Sequence, residues 1–364
     1  MSKTILNKSI LNILFFTVIF TSCSKEEETL QEENIINITE PKTPLKEATK
    51  TFFAGMAVRA NRLEDGSEYD KIIKREYESI TAEYEMKMNV ILPSKGNYNW
   101  SNADKIVDYA IANGLNVHGH ALIWHESTPE WLENYSGTDE EFEQEIKEYI
   151  STVLERYREK VTSWDVINEG VNNSGGTLRN TVFRQRMGDD YMAKCLQFAR
   201  DADPNVMLFY NDYGMCTNIS KQNKVFDLVA DWKNRNIPID GIGYQMHISY
   251  LKPIRQQIQI ATDRAIASEL LLHYSELDIR TNPNNDITVL SEERAIAQKL
   301  KYKEVVQIYN SIPTTNQYAL TIWGMKDDDS WLLPHHNNDN EWPLLYDKSF
   351  DFKKAHTGFL EGLN

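Results

Sequence analysis

The sequence predicts an α/β protein built as a (β/α)8 TIM barrel, and three observations carry that prediction. Its 364 residues exceed the ~150 of an average domain, yet they suit one barrel of about 250 residues or more around a single core. Short apolar runs of strand character recur eight times. Helical stretches alternate with them, which is the pattern of a parallel sheet covered by helices.

The strands are expected at Phe52–Val58, Ser79–Met86, Leu115–Ile123, Ser163–Asn168, Val206–Asn211, Gly241–His247, His273–Leu277 and Gln317–Trp323. Helices are expected between them, at Asn102–Asn113, Glu140–Tyr157, Lys221–Asn234 and Ser291–Ser311, with a further one at Tyr191–Arg200. A composition of 41% hydrophobic and 26% charged residues, with only 16 Gly and 11 Pro, excludes disordered, collagenous and disulfide-dense chains. With 39 Lys and Arg against 54 Asp and Glu, the formal charge is -15, which disfavours nucleic acid and anionic lipid as partners.

The N-terminus has the pattern of an export signal over residues 1–22. Lys3 and Lys8 precede an apolar run from Ile10 to Phe20, and Phe20-Thr21-Ser22 leads to Cys23. That run is too short to span hydrocarbon ~30 Å thick at 1.5 Å per residue. The segment resembles a bacterial lipoprotein signal, which implies lipidation at Cys23 and anchoring to the outer membrane at the cell surface. Ser24-Lys25-Glu26-Glu27-Glu28 resembles an acidic surface-export tag. Residues 23–50 are polar, with Pro41 and Pro44, and read as a flexible tether to a catalytic domain over 51–364. Membrane contact is therefore expected through the lipid alone. The flanks of Cys195 and Cys216 suggest a helix and a loop, so both are expected as free thiols.

In such barrels the chemistry lies at the carboxyl ends of the strands. Those ends carry His118-Gly119-His120-Ala121-Leu122-Ile123-Trp124-His125, Asn168-Glu169, Asn211-Asp212-Tyr213, Gln245-Met246-His247, Ser275-Glu276-Leu277-Asp278 and Trp323. Two carboxylates at strand ends, Glu169 and Glu276, suit glycoside hydrolysis, in which one protonates the leaving oxygen and the other attacks the anomeric carbon or activates water. The spacing of His118, His120 and His125 is a poor match to a metal site, and no metal is expected.

These motifs resemble those of the endo-β-1,4-xylanases of glycoside hydrolase family 10. Trp164-Asp165-Val166-Ile167-Asn168-Glu169 resembles the family's acid/base motif and Ser275-Glu276-Leu277-Asp278 its nucleophile motif. His120-Ala121-Leu122-Ile123-Trp124-His125, Tyr210-Asn211-Asp212-Tyr213, Gly241 to His247 and Trp323-Gly324 with Ser330-Trp331 match in order, from roughly Phe53 to Leu360. The resemblance implies a retaining, two-step hydrolase of β-1,4-xylan or a related β-glycan, with Glu276 as nucleophile and Glu169 as acid/base. Asn168, Asn211, Gln245 and His247 would support the two carboxylates. Glu83, Lys87, His120 and Trp124 resemble sugar-binding residues, and Trp323 and Trp331 resemble aromatic walls. Trp131 and Trp164 fit core packing better, and His125 fits either role.

Two positions depart from the family pattern. Tyr84, in Glu83-Tyr84-Glu85-Met86-Lys87, stands where the family has Asn, and Glu126-Ser127 replaces Ser-Gln, so Ser127 stands for an amide. Either Tyr84 lines the sugar site or it turns away into barrel packing. The leading reading is xylan hydrolysis. The alternatives are the same chemistry on a decorated or mixed-linkage β-glycan, and a surface glycan-binding lipoprotein that does not cut.

Overall fold

A computed structural model describes residues 43–364. Ten strands run in chain order: β1 (Phe53–Val58), β2 (Ser79–Ala82), β3 (Asn116–Gly119), β4 (Ile123–Trp124), β5 (Ser163–Asn168), β6 (Met207–Asp212), β7 (Gly241–Tyr244), β8 (His247–Ser249), β9 (Leu271–Arg280) and β10 (Gln317–Ile322). Eight of them close a parallel barrel in the order β1, β2, β3, β5, β6, β7, β9, β10 and back to β1. This is the (β/α)8 architecture. The other two extend the rim: β4 pairs Ile123 with Ile167 of β5, and β8 pairs His247 with Asp278 of β9.

Three strands end sooner than their apolar runs suggest. The run after Ser79 leaves the sheet at Ala82, the run from Leu115 breaks between Gly119 and Ile123, and the run from Gly241 breaks after Tyr244, where Met246 takes a left-handed φ of 60°. Each break falls at the carboxyl end, where the strand must splay outward for its side chains to face the barrel mouth. Gly119 marks a close approach, because a Cβ there would lie 2.2 Å from the Trp164 ring. Trp164 can therefore pack under the neighbouring strand, and at 1% exposure it belongs to the core.

The helices carry their own boundary signals. Ser67, Thr138, Asn218 and Ser291 each accept a main-chain N–H three residues on, capping helices Glu68–Glu76, Asp139–Tyr157, Ile219–Asn234 and Glu292–Asn310. Such a cap contributes about 1 kcal/mol. Helix Asp139–Tyr157 buries Phe142, Ile146, Tyr149, Ile150, Val153, Leu154 and Tyr157, one stripe at helical spacing laid on the sheet. Among the described residues no helix is long and apolar enough to cross a membrane.

Packed structure begins earlier than the sequence suggests. Leu45–Ala48 forms a helical turn within the stretch read as tether; Leu45 is fully buried, and its N–H donates to the Glu76 carboxylate at 2.9 Å. Residues 1–42, which include the export signal, Cys23 and most of the tether, lie outside the described residues. Cys195 and Cys216 are free and buried, and the Cys216 thiol lies 3.6 Å from the Met246 sulfur.

Candidate active site

The barrel mouth opens into a cleft of about 900 Å³. Glu83, Tyr84, Lys87, His120, Trp124, Ser127, Asn168, Glu169, Gln245, His247, Glu276, Trp323 and Trp331 all line it. Asn211, fully buried, lies beneath them and completes the set of sequence-derived candidates.

Glu169 is the residue immediately after β5 and takes a left-handed φ of 59°, while Glu276 lies within β9. A chain of amides joins them. Gln245 Nε2 donates to Glu169 Oε1 at 3.1 Å and to Asn168 Oδ1 at 3.2 Å. Asn211 Nδ2 donates to the same Asn168 oxygen at 3.0 Å and to Glu276 Oε1 at 2.7 Å. The Ser275 hydroxyl fixes Asn211 from below, donating to its Oδ1 at 2.7 Å.

The second oxygen of Glu276 meets a different partner. His247 Nε2 stands 3.1 Å from Oε2, and its Nδ1 stands 2.8 Å from Asp278 Oδ2, which also accepts from the Trp331 indole at 2.9 Å. Burial by itself would lower the His247 pKa, but Asp278 and Glu276 on either side overcome it and push it up to about 10. For Glu276, burial acts to raise the pKa; the His247 hydrogen bond, the fields of His120 and His247 and the Asn211 bond outweigh it and hold the carboxyl below its ordinary range. Glu169 shifts the other way. Burial pushes it up, assisted by the Asp212 and Glu276 carboxylates and opposed by the Gln245 hydrogen bond and the nearby Trp124 indole. One carboxyl is thus biased toward the acid and the other toward the anion, the pairing that separates a proton donor from a nucleophile.

His120 and His118 share one buried partner, with His120 Nδ1 2.8 Å and His118 Nε2 3.1 Å from Asp165 Oδ2. Asp165 thereby sets the His120 ring, which meets Trp323 at 5.4 Å between centroids. His125 sits apart from that pair, with its ring 6.2 Å from Trp124, and burial lowers its pKa to about 4. Trp131 is structural, as its indole donates to the Leu92 carbonyl at 3.1 Å.

At one side of the mouth Lys87 Nζ lies 4.7 Å from the centre of the Tyr84 ring and 4.5 Å from Trp124. Arg59, paired with Glu83 at 2.6 Å, approaches the Tyr84 ring at 5.0 Å. Tyr84 is 45% exposed, so it faces the cleft and does not turn into packing. Ser127 is buried, and its Oγ lies 3.4 Å from the Trp124 carbonyl.

Sequence reasoning passed over Asp278, Arg59 and Arg179 as site residues. Asp278 had a signal, because it lies two residues beyond Glu276 on one strand and so shares its face. Arg59 had one too, as the extended residue directly after β1, whereas Arg179 carries no periodic signal, since a turn brings it in.

A parallel eight-stranded barrel with two oppositely tuned glutamates at its carboxyl mouth defines a class of acid/base and nucleophile hydrolase sites. The profile of glycosyl hydrolase family 10 matches residues 44–361, and the chain belongs to that family. Endo-beta-1,4-xylanase Xyn10C of Cellvibrio japonicus is 36% identical over 314 residues, covering 80% of this chain and 52% of its own length. Endo-1,4-beta-xylanase B of Paenibacillus barcinonensis is 33% identical over 316 residues, covering 84% of this chain and 93% of its own. Among solved structures, a mutant of the Cellvibrio japonicus xylanase 10C in complex with xylopentaose superposes with a TM-score of 0.84 at 33% identity, covering 88% of this chain and 69% of that one.

Proposed function

We propose that this chain is a retaining endo-1,4-β-xylanase in which Glu276 is the nucleophile and Glu169 the acid/base. The opposite tuning of the two carboxyls carries the reading. Protonated Glu169 gives its proton to the glycosidic oxygen as that bond breaks, while ionised Glu276 bonds the anomeric carbon. Water then gives a proton to Glu169 and its oxygen to the same carbon, and the electron pair of the ester bond returns to Glu276. No cofactor enters either step. The xylanase names of relatives matched over at least 80% of this chain support xylan as the substrate. The test is release of reducing ends from soluble xylan by the wild type against Glu276→Ala; equal, negligible release by both would leave a glycan-binding protein.

Tyr84 favours a second reading of the substrate. An exposed aromatic ring flanked by Arg59 and Lys87 offers a flat stacking face where an amide is otherwise expected, which suits a decorated or otherwise linked β-glycan. We also infer from the N-terminal sequence that the chain is exported and lipid-anchored at Cys23, facing the cell surface. Labelling with a radioactive fatty acid tests the anchor: Cys23→Ala should abolish incorporation, and incorporation that persists excludes Cys23.

A further inference from the structure

Glu169 holds a backbone conformation that a β-carbon disfavours, and the structure shows what keeps it there. A left-handed φ of 59° on a non-glycine residue persists only where its surroundings enforce it. The Glu169 N–H donates to the Asn211 carbonyl at 2.8 Å, fixing the entry to the turn. Beyond it the chain folds back, with Val171 bridging Leu178 and the Arg179 N–H donating to the Gly170 carbonyl at 2.9 Å. This return delivers the Arg179 guanidinium beside Glu169. Its Nε donates to the Glu169 carbonyl at 2.9 Å, and Nη2 lies 3.4 Å from the Tyr213 hydroxyl. The same Nη2 stands 3.9 Å from Glu169 Oε2, beyond hydrogen-bond range.

That gap fits the chemistry proposed above, on which this inference rests. A full ion pair in the resting enzyme would strip Glu169 of its proton too easily for an acid. Once the proton has passed to the leaving group, the same carboxyl is an anion that must wait for water. We propose that Arg179 is a positioning residue for both steps: it pins the left-handed main chain of Glu169 throughout, and it closes onto Oε2 once that carboxyl has lost its proton. The new contact is a charge-assisted N–H to carboxylate bond, which opens again when water returns the proton.

Other charges also face Glu169. Asp212 and Glu276 oppose its anion, while Lys87 and Lys221 favour it; Lys221 is already engaged at 2.5 Å by Asp212. The Tyr213 hydroxyl, the Gln245 amide and His125, whose pKa burial lowers to about 4, complete the surroundings. Arg179, whose Nη2 already stands 3.9 Å from Oε2, is placed to answer a change there.

The experiment compares Arg179→Gln and Arg179→Lys on a dinitrophenyl β-xylobioside, whose leaving group needs no acid, and on unactivated xylo-oligosaccharides. For Arg179→Gln, kcat on the dinitrophenyl substrate should fall about ten- to a hundredfold, the range of one hydrogen bond to a charged group. Intact-protein mass spectra should show the glycosyl adduct accumulating, and on the unactivated xylo-oligosaccharides the alkaline limb of kcat/KM should move to higher pH. Arg179→Lys keeps the charge and should leave that limb in place. An unmoved limb in Arg179→Gln, with equal losses on both substrates and no adduct, overturns the proposal, as do unchanged kinetics. If thermal melts show that Arg179→Gln is unfolded, Arg179→Lys decides: its single ammonium cannot hold carbonyl and carboxylate together, so absence of both slowed second step and adduct overturns the proposal. A wild type inactive on both substrates sinks the xylanase reading and this inference together; wild-type turnover with unchanged variants sinks this inference alone.

Discussion

At the scale of single residues, Glu169 and Glu276 differ by their neighbours and not by their type. Glu276 faces an imidazole raised to about 10 and an amide donor, whereas Glu169 faces two other carboxylates across a buried space. Glu276→Gln keeps the volume and removes the proposed nucleophile. Its turnover should fall to background with thermal midpoint and glycan binding nearly unchanged, and wild-type-like rates in contaminant-free preparations would falsify the assignment. Glu169→Ala should lose far more activity on unactivated xylan than on aryl glycosides with good leaving groups, since the latter need little proton donation. Equal losses on both count against the acid role.

The elements place these residues, and they were not equally legible. Strand β5 was readable residue for residue because a six-residue run carrying Trp164, Val166 and Ile167 ends at Asn168, with Glu169 directly after it. The runs through Glu83–Met86, His120–Leu122 and Gln245–Met246 keep the composition of a strand after the backbone has left the sheet, so periodicity overran the strand ends. Nor did composition reveal that Leu45 belongs to the folded body, since its partner Glu76 is 31 residues away. Arg179 was illegible for a similar reason, because it reaches Glu169 through a hairpin whose turn shape no spacing rule specifies. The catalytic candidates and most of the sugar-facing candidates were legible, because they sit at strand ends whose direction the barrel fixes. The loop after β2 invites one test. On the second reading of the substrate, Tyr84→Asn with Ser127→Gln should raise kcat/KM on linear xylo-oligosaccharides and lower it on a decorated glycan. No gain on the linear series would end the case for an altered sugar site.

For the whole molecule, pH couples the site to the fold. On the proposed assignment turnover requires Glu169 protonated and Glu276 ionised, so kcat/KM should fall below the lowered range of Glu276 and above the raised range of Glu169. Stability follows His247, whose folded pKa of about 10 lies above its ordinary 6.5. A raised imidazole stabilises fully below its unfolded pKa, and that contribution fades as pH rises from about 6.5 through about 10. Thermal midpoints of the wild type should therefore drop across that window, and His247→Gln should flatten the drop while lowering stability at neutral pH. Parallel curves for the two proteins would refute the linkage.

The amide chain beneath the two glutamates has a polarity of its own. Asn168 Oδ1 accepts from both Gln245 and Asn211, so its oxygen is spoken for and its NH2 is turned toward the cleft. A sugar hydroxyl lying there can accept a hydrogen bond from Asn168 but cannot donate one to it, and the ionised Glu276 beside it can only accept. The hydroxyl is thus threaded in one sense, lone pair to Asn168 and hydrogen to Glu276. A fluorine in its place has no hydrogen to pass on, and a bare methylene engages neither partner. The floor of the cleft reads the direction of a substrate's hydrogen bond as well as its presence.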